Sequence, residues 1–243
     1  MRVAGCRDGD PMQGWRSAKL SRLQSQITVA MITRNEEKAV GKVIGDIRAA
    51  VPGAEILIVD SSSDRTADIA QSLGARVIRQ FPPRGYGPAM DTALHSAERE
   101  VVVTLDCDDT YPAEFIEQMA RLVIEEGFDL VDGSRLVRKP TAMPWFNYFA
   151  NWGFAAIASI LFARRITDLH SGMRAYRKTL IERLQYESKG AALPVELLLR
   201  PISQGYKVKV IEIPYRSRIG ESTMQPLQGA WWTLKRILRS RFA

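Results

Sequence analysis

From Ile27 onward, short runs of β-branched residues alternate with stretches of amphipathic helical spacing, and this alternation constrains the chain more than any other feature. Parallel strands need crossover helices to carry the chain back, so the pattern reads as an α/β fold with a mostly parallel central sheet and helices on both faces. The spacing predicts strands at 27–32, 55–59, 76–79, 101–105, 130–133 and 207–213, and helices at 37–50, 66–73, 88–97, 113–126, 146–162 and 194–204. Pro112 and Pro194 stand where first-turn prolines belong, and Gly127 and Gly205 stand where helices stop. With 243 residues, 46% of them apolar, the chain is long enough to bury one sizeable core.

Charge is distributed unevenly. Residues 1–25 carry five basic and two acidic side chains, residues 207–243 eight and two, and the stretch between them 21 and 23, within a formal charge of +7. A slightly acidic body lacks the spread of Lys and Arg that a nucleic-acid groove requires, so no nucleic-acid partner is expected. Cys6 and Cys107 are too few and too scattered for a disulfide framework or a Cys-based zinc site, which points to a reducing compartment. His95 and His170 are isolated from each other and from any zinc-type spacing; His170 is expected near an acceptor cleft and His95 on a helix surface. The first 25 residues lack the apolar run of a secretory signal and read as a flexible basic extension. A single domain over 26–224 and a basic amphipathic helix over 225–243 complete the expected organisation. The longest apolar run, residues 152–163, has twelve residues against the roughly 20 that a membrane-spanning helix needs.

Polar residues gather behind the predicted strands: Thr33, Arg34, Asn35 and Glu36 after the first, Asp60 after the second, and Asp106, Asp108 and Asp109 after the fourth. Parallel strands send these loops to one sheet edge, where open α/β folds bind ligands. In Asp106-Cys107-Asp108-Asp109-Thr110-Tyr111-Pro112, three carboxylates within four residues repel one another unless a hard divalent cation joins them, although the same residues also suit a helix cap. In Asp60-Ser61-Ser62-Ser63-Asp64-Arg65-Thr66, Asp60 is suited to accept bonds from a base or ribose, and Asp64 is as easily a cap for the next helix. Neither a G-x-G-x-x-G after the first strand nor a G-x-x-x-x-G-K-[ST] occurs, which disfavours dinucleotide oxidoreductases and P-loop enzymes.

An ordered series of seven motifs spans residues 27–224: Thr33-Arg34-Asn35-Glu36, Val59-Asp60 with Ser63-Asp64-Arg65-Thr66, Arg84-Gly85-Tyr86-Gly87, Asp106-Cys107-Asp108, Gly133-Ser134-Arg135, Asp168-Leu169-His170-Ser171-Gly172-Met173-Arg174 and Arg218-Ile219-Gly220-Glu221-Ser222. With them the chain resembles the family 2 glycosyltransferases of GT-A fold, in particular the polyprenyl (dolichyl) phosphate sugar transferase branch. The resemblance implies a Rossmann-like nucleotide-sugar half followed by an acceptor half. It also implies an inverting transfer from a UDP- or GDP-sugar, with Mg2+ or Mn2+ on Asp106 and Asp108. Thr33, Asn35, Glu36, Asp60, Arg84, Gly85 and Asp106 are then the expected donor contacts. Sugar nucleotidyltransferases share a similar sheet, but the glycine-rich first loop that cradles a triphosphate is absent here. A non-catalytic sugar-nucleotide binding module is the remaining alternative.

Acceptor chemistry divides the other candidates. A phosphate monoester is already anionic near neutral pH and needs arginine clamps, for which Arg135, Arg174 and Arg218 are candidates, beside Ser171 and Ser222. A hydroxyl acceptor needs a carboxylate base, for which Asp168 or Glu196 is the candidate. With Asp108, the expected catalytic residues are thus Arg135, Asp168, Arg174 and Glu196. The branch usually has an N-R-x-x-N-R segment entering its long apolar helix, whereas this chain has Asn147-Tyr148-Phe149-Ala150-Asn151-Trp152, so both acceptor classes stay open. Leu227, Trp231, Leu234, Leu238 and Phe242 recur at helical spacing among Lys235, Arg236, Arg239 and Arg241, as in helices that bind anionic membrane surfaces. The expected location is the cytoplasm, at the inner face of the cell membrane.

Overall fold

The computed structural model of the protein describes residues 11–137, 140, 143, 145–220 and 226–242. Seven strands, β1 (Ile27–Thr33), β2 (Glu55–Asp60), β3 (Arg76–Arg79), β4 (Val101–Thr104), β5 (Leu130–Ser134), β6 (Arg174–Arg177) and β7 (Val208–Glu212), form one sheet in the order β3-β2-β1-β4-β6-β5-β7. The pairs β1–β2, β2–β3, β1–β4 and β5–β7 are parallel, and β6 runs antiparallel to both β4 and β5. The helices are α1 (Pro11–Gln24), α2 (Val40–Ala50), α3 (Thr66–Ser72), α4 (Tyr86–Ser96), α5 (Ile116–Ile124, after a 3-10 turn at Ala113–Phe115), α6 (Trp145–Leu161), α7 (Lys178–Arg183), α8 (Leu193–Ser203) and α9 (Pro226–Phe242).

The strands read as continuous apolar runs because both faces of the sheet are covered. Val29, Met31, Ile56, Ile58, Val101 and Val103 pack with α2 and α5 on one face. Ala30, Leu57, Val59 and Val102, one residue out of phase, pack with α4, α7 and α8 on the other. Gly127 and Gly205, expected to end helices, have φ of +73° and +78°, the left-handed conformation of a helix C-terminus.

Three elements depart from the sequence expectation. Residues 11–24, assigned to the flexible extension, form α1, whose Leu23 is buried and whose Lys19 pairs with Glu125 at 3.0 Å; residues 1–10 lie outside the described residues. The four-residue β6 and six-residue α7 are too short to generate a readable period. β6 matters most, because an antiparallel strand between β4 and β5 enters the sheet at the edge where those strands leave it. Thr104 and Asp132 both align with Arg174, so the segment before β6 is delivered to the same edge as the β4 loop.

Arg174 fastens that insertion. Its guanidinium is fully buried, donates from Nε to Asp132 Oδ1 at 2.6 Å, and donates to the carbonyls of Pro194 (2.5 Å) and Leu169 (3.2 Å). The expectation that Arg174 clamps an acceptor is therefore corrected, since its donors are spent inside the protein. Replacing Arg174 by Met leaves the Asp132 charge buried and alone, and is expected to cost about 3–5 kcal/mol in urea denaturation. The double variant Arg174→Met/Asp132→Leu should recover much of that loss; equal stability of single variant and parent would contradict the role.

Candidate active site

The carboxyl edge is assembled from loops that tie to one another. Thr33 ends β1 opposite Asp60 at the end of β2, and its hydroxyl donates to Asp60 Oδ1 at 2.7 Å. Asp60 is buried and also accepts from Ser62 Oγ (2.6 Å), Ser62 N (3.1 Å) and Arg79 Nη1 (2.5 Å). Those four bonds use the roughly four acceptor positions of a carboxylate. Asp60 thus shapes the loop, and the expected direct contact with a nucleoside is not what its geometry offers.

The first loop is laced to the second. Asn35, at φ +60°, donates from its backbone N–H to Ser62 Oγ (2.8 Å) and accepts from Ser63 N (2.9 Å), and Glu36 N donates to Thr66 Oγ1 (2.9 Å). Asp64 accepts from Thr66 N (3.0 Å) and Thr66 Oγ1 (2.5 Å) in the turn before α3, whose cap position is occupied by Arg65 and not by Asp64. These bonds leave the Glu36 side chain over the β4 loop, where its carboxyl is raised to about 7. Burial is the largest cause, the Asp108 charge is next, Arg218 opposes both, and Asp106 and Asp64 add to the rise.

Asp106 and Asp108 follow β4. Asp106 is raised to about 6, first by burial and then by Asp108, with Arg135 and Arg218 acting against both. Asp108 accepts from Thr110 N (3.1 Å) and Thr110 Oγ1 (2.6 Å) through Oδ1, and its Oδ2 lies 3.2 Å from Arg218 Nη2. Residues 216–219 are held over this loop by Arg216 N to Thr110 O (3.1 Å) and Ile219 N to Asp108 O (2.8 Å), so Arg218 is placed by its own backbone. Gly172 crosses so close beneath that a Cβ there would lie 2.8 Å from Asp106 Oδ2. Its N–H donates to Tyr111 Oη at 2.6 Å, a contact the sequence reading left unassigned.

Among the described residues no three His, Cys, Asp or Glu side chains form a ready metal cage. The donor set nonetheless fits a hard cation: Asp106 and Asp108 supply only oxygen, and burial together with the Asp108 charge pushes both Asp106 and Glu36 toward the neutral form, which a bound cation would reverse.

Arg135 follows β5 and forms a two-pronged pair with Asp168, Nε to Oδ2 at 2.7 Å and Nη2 to Oδ1 at 2.9 Å. The Tyr111 and Tyr215 rings lie 5.8 and 5.5 Å from the guanidinium carbon, the second a partner with no sequence signal. Burial pushes Asp168 up, but Arg135 outweighs it and holds the carboxyl below its usual range, and His170 N donates to Oδ1 at 3.0 Å as well. Asp168 is therefore an orienting partner of Arg135, and its expected role as a proton acceptor is corrected. Glu196 is corrected too: it is buried between α8 and α9, 2.6 Å from Arg236 Nη1. His170 faces α9 and not an acceptor, its Nε2 lying 2.9 Å from Thr233 Oγ1, and burial lowers it to about 4. Ser171 is buried and donates to Gly133 O at 2.5 Å. Arg84 and Gly85 are exposed just before α4, apart from the bonds described above, and Ser222 lies outside the described residues.

Several solved structures share this fold. Glucosyl-3-phosphoglycerate synthase from Mycobacterium tuberculosis, solved with Mn2+, UDP and glucosyl-3-phosphoglycerate, superposes with a TM-score of 0.73 at 20% identity over 98% of this chain and 86% of that one. The sheet, with its acidic carboxyl edge, is that of a GT-A glycosyltransferase. The profile of Glycosyl transferase family 2 matches residues 28–185, and the chain belongs to that family. A dolichyl-phosphate hexose transferase of Haloferax volcanii is 43% identical over 204 residues, 84% of this chain and 88% of that protein. A dolichol-phosphate mannosyltransferase of Pyrococcus furiosus is 29% identical over 82% of this chain and 59% of its own length.

The raised Glu36 carboxyl gives a pH signature. In the unfolded chain it loses its proton near 4.5 and in the folded protein near 7, so its contribution is present below pH 4.5 and lost as pH rises through about 7. Without added cation, Glu36→Gln should match the parent at pH 4 and exceed it at pH 8 by about 1 kcal/mol, a figure already reduced for solvent screening. Thermal melts at the two pH values read this; an equal difference at both would count against the clustering.

Proposed function

We propose that the protein transfers a hexose from a UDP- or GDP-linked donor to the phosphate of a polyprenyl phosphate, using Mg2+ or Mn2+ held by Asp106 and Asp108. The observation that carries the acceptor assignment is that both candidate bases are committed, Asp168 to Arg135 and Glu196 to Arg236. An acceptor that is already an anion requires neither. The 43% identity to a protein named dolichyl-phosphate hexose transferase supports the same class, and Mn2+ with UDP in a relative of the same fold supports the cation.

In this reading a phosphate oxygen of the acceptor attacks C1 of the hexose, the bond from C1 to the donor diphosphate breaks, and the nucleoside diphosphate leaves with inversion. The cation, when bound, offsets negative charge on the leaving diphosphate. Glu36 and the Thr33–Asn35 loop border the donor, and Arg218 stands beside Asp108 where charge accumulates. Arg135, oriented by Asp168 and by the Tyr111 and Tyr215 rings, meets the acceptor phosphate. The protein then works where its acceptor is, at the inner face of the cell membrane.

Nucleoside diphosphate release and lipid product should be followed with UDP- and GDP-hexoses, offering polyprenyl phosphate and polyprenol in parallel. Only the phosphate is expected to accept sugar, EDTA should abolish transfer, and Asp108→Asn should lower kcat at least ~100-fold. Transfer to polyprenol would replace this acceptor class by a hydroxyl one, and transfer insensitive to EDTA would remove the cation.

A further inference from the structure

α9 docks inside out. Its inward stripe is Thr233, Arg236, Ile237 and Ser240, all buried, with Arg236 only 2% exposed and donating to Glu187 O at 2.8 Å in addition to its Glu196 pair. Its aromatic residues face outward: Trp231 is 68% and Phe242 73% exposed, beside exposed Trp232 and Leu238. The sequence pattern predicts an apolar stripe and a charged stripe, but which of them meets the domain is decided by the buried partners. Glu196 and His170 take the polar stripe and leave the apolar one in solvent.

α6 repeats the arrangement. Ala155 and Ala158 face the core, while Trp145, Phe149, Trp152, Ile157 and Ile160, the last 80% exposed, follow one another at helical spacing on the outside. The two helices touch, and Arg241 Nε of α9 donates to Leu161 O at the end of α6 at 3.0 Å. Nine of the twelve exposed large apolar side chains among the described residues belong to this pair of helices. Aromatic side chains present roughly 150–250 Å2 each, so the face exceeds the few hundred Å2 usual on a monomer. No helix among the described residues is long and apolar enough to cross a membrane.

We propose that α6 and α9 together form one seating platform for the headgroup region of an anionic lipid bilayer, an inference that deepens the lipid-acceptor reading and rests on it. Charge selects this occupant. Neither helix contains Asp or Glu, whereas Lys235 and Arg241 on α9 and Arg164 and Arg165 just beyond α6 are exposed cations at the border of the face. Pairing the same face with that of a second copy would bring cations against cations, while anionic headgroups complement it. Tryptophan on an apolar face with basic neighbours is the composition of helices that lie in a membrane interface. The inner side of the platform meets the active-site loop: Phe154 of α6 packs edge-on to His170, Thr233 of α9 bonds its ring, and His170 N bonds Asp168. Seating therefore brings the loop that orients Arg135 to the membrane from which a lipid phosphate is drawn.

Flotation with phosphatidylglycerol/phosphatidylcholine vesicles, free of donor and of polyprenyl phosphate, tests the platform separately from catalysis. The full chain should float with these vesicles and at least ~10-fold less with phosphatidylcholine alone. Trp152→Ser/Ile160→Ser and Trp231→Ser/Phe242→Ser should each reduce binding at least ~10-fold. Arg165→Glu/Lys235→Glu should remove the preference for anionic vesicles, and Leu73→Ser, an exposed apolar residue elsewhere, should leave flotation unchanged. Because the altered residues are exposed, melting temperatures should stay near the parent value, and transfer to detergent-dispersed acceptor should persist. No flotation, flotation indifferent to the variants, or a solution dimer that the aromatic variants dissociate would overturn the proposal. Loss of transfer with intact flotation would instead count against the transferase reading.

Discussion

The buried pair between Arg174 and Asp132 is the contact on which the arrangement of the active site depends. β6 is only four residues long and is held by β4 and β5, whose directions are opposite to its own. Backbone bonds alone specify such a short insertion weakly, since a slip by two residues would preserve the pleat. A guanidinium with no access to water removes that freedom, because any other register leaves it away from Asp132 and from the Pro194 and Leu169 carbonyls. With the register fixed, Gly172 passes under Asp106 and Asp168 arrives at Arg135. The two halves of the site are joined there.

Two opposite electrostatic environments then lie side by side on one sheet edge. Burial first, and then the neighbouring Asp108 charge, make Glu36 and Asp106 hold their protons more tightly than in water, and Arg218 offsets this only in part. Asp168 and Arg135, a short distance along the same edge, are mutually satisfied, and Asp168 stays ionised. The first environment favours a cation and an anionic leaving group bound together; the second offers a positioned guanidinium to a second anion. A transfer between two phosphorylated partners matches that division of charge, without a side chain that must change protonation state during the step.

Much of this was readable from residue order. The long parallel strands declared themselves through β-branched runs, and the loops after β1, β2 and β4 had to share an edge, so Glu36, Asp106 and Asp108 were located correctly relative to one another. Arg174 and Glu196 were legible as charged residues in suggestive contexts but not as buried ones, because burial depends on partners 42 and 40 positions distant, Asp132 and Arg236. Asp60 failed as a predicted ligand contact for a related reason: Ser62, two residues away, Thr33 on a neighbouring strand and Arg79 on another satisfy it together. Tyr215, in a segment without regular structure, had no period to mark it.

The amino-acid order by itself determined the α/β class, the gathering of the polar loops at the carboxyl edge, the acidic loop after β4 and the amphipathic character of the last helix. Those properties follow from local rules, namely side-chain period, strand direction and the spacing of charges along a few residues. Tertiary structure alone decided which arginines remain near the cleft and which are spent inside the protein, whether either candidate base is free to take a proton, and which face of α9 points outward. These are questions of pairing. A charged side chain is a ligand contact or a strut according to whether a distant partner has already desolvated and satisfied it, and periodicity along the chain carries no record of that partner.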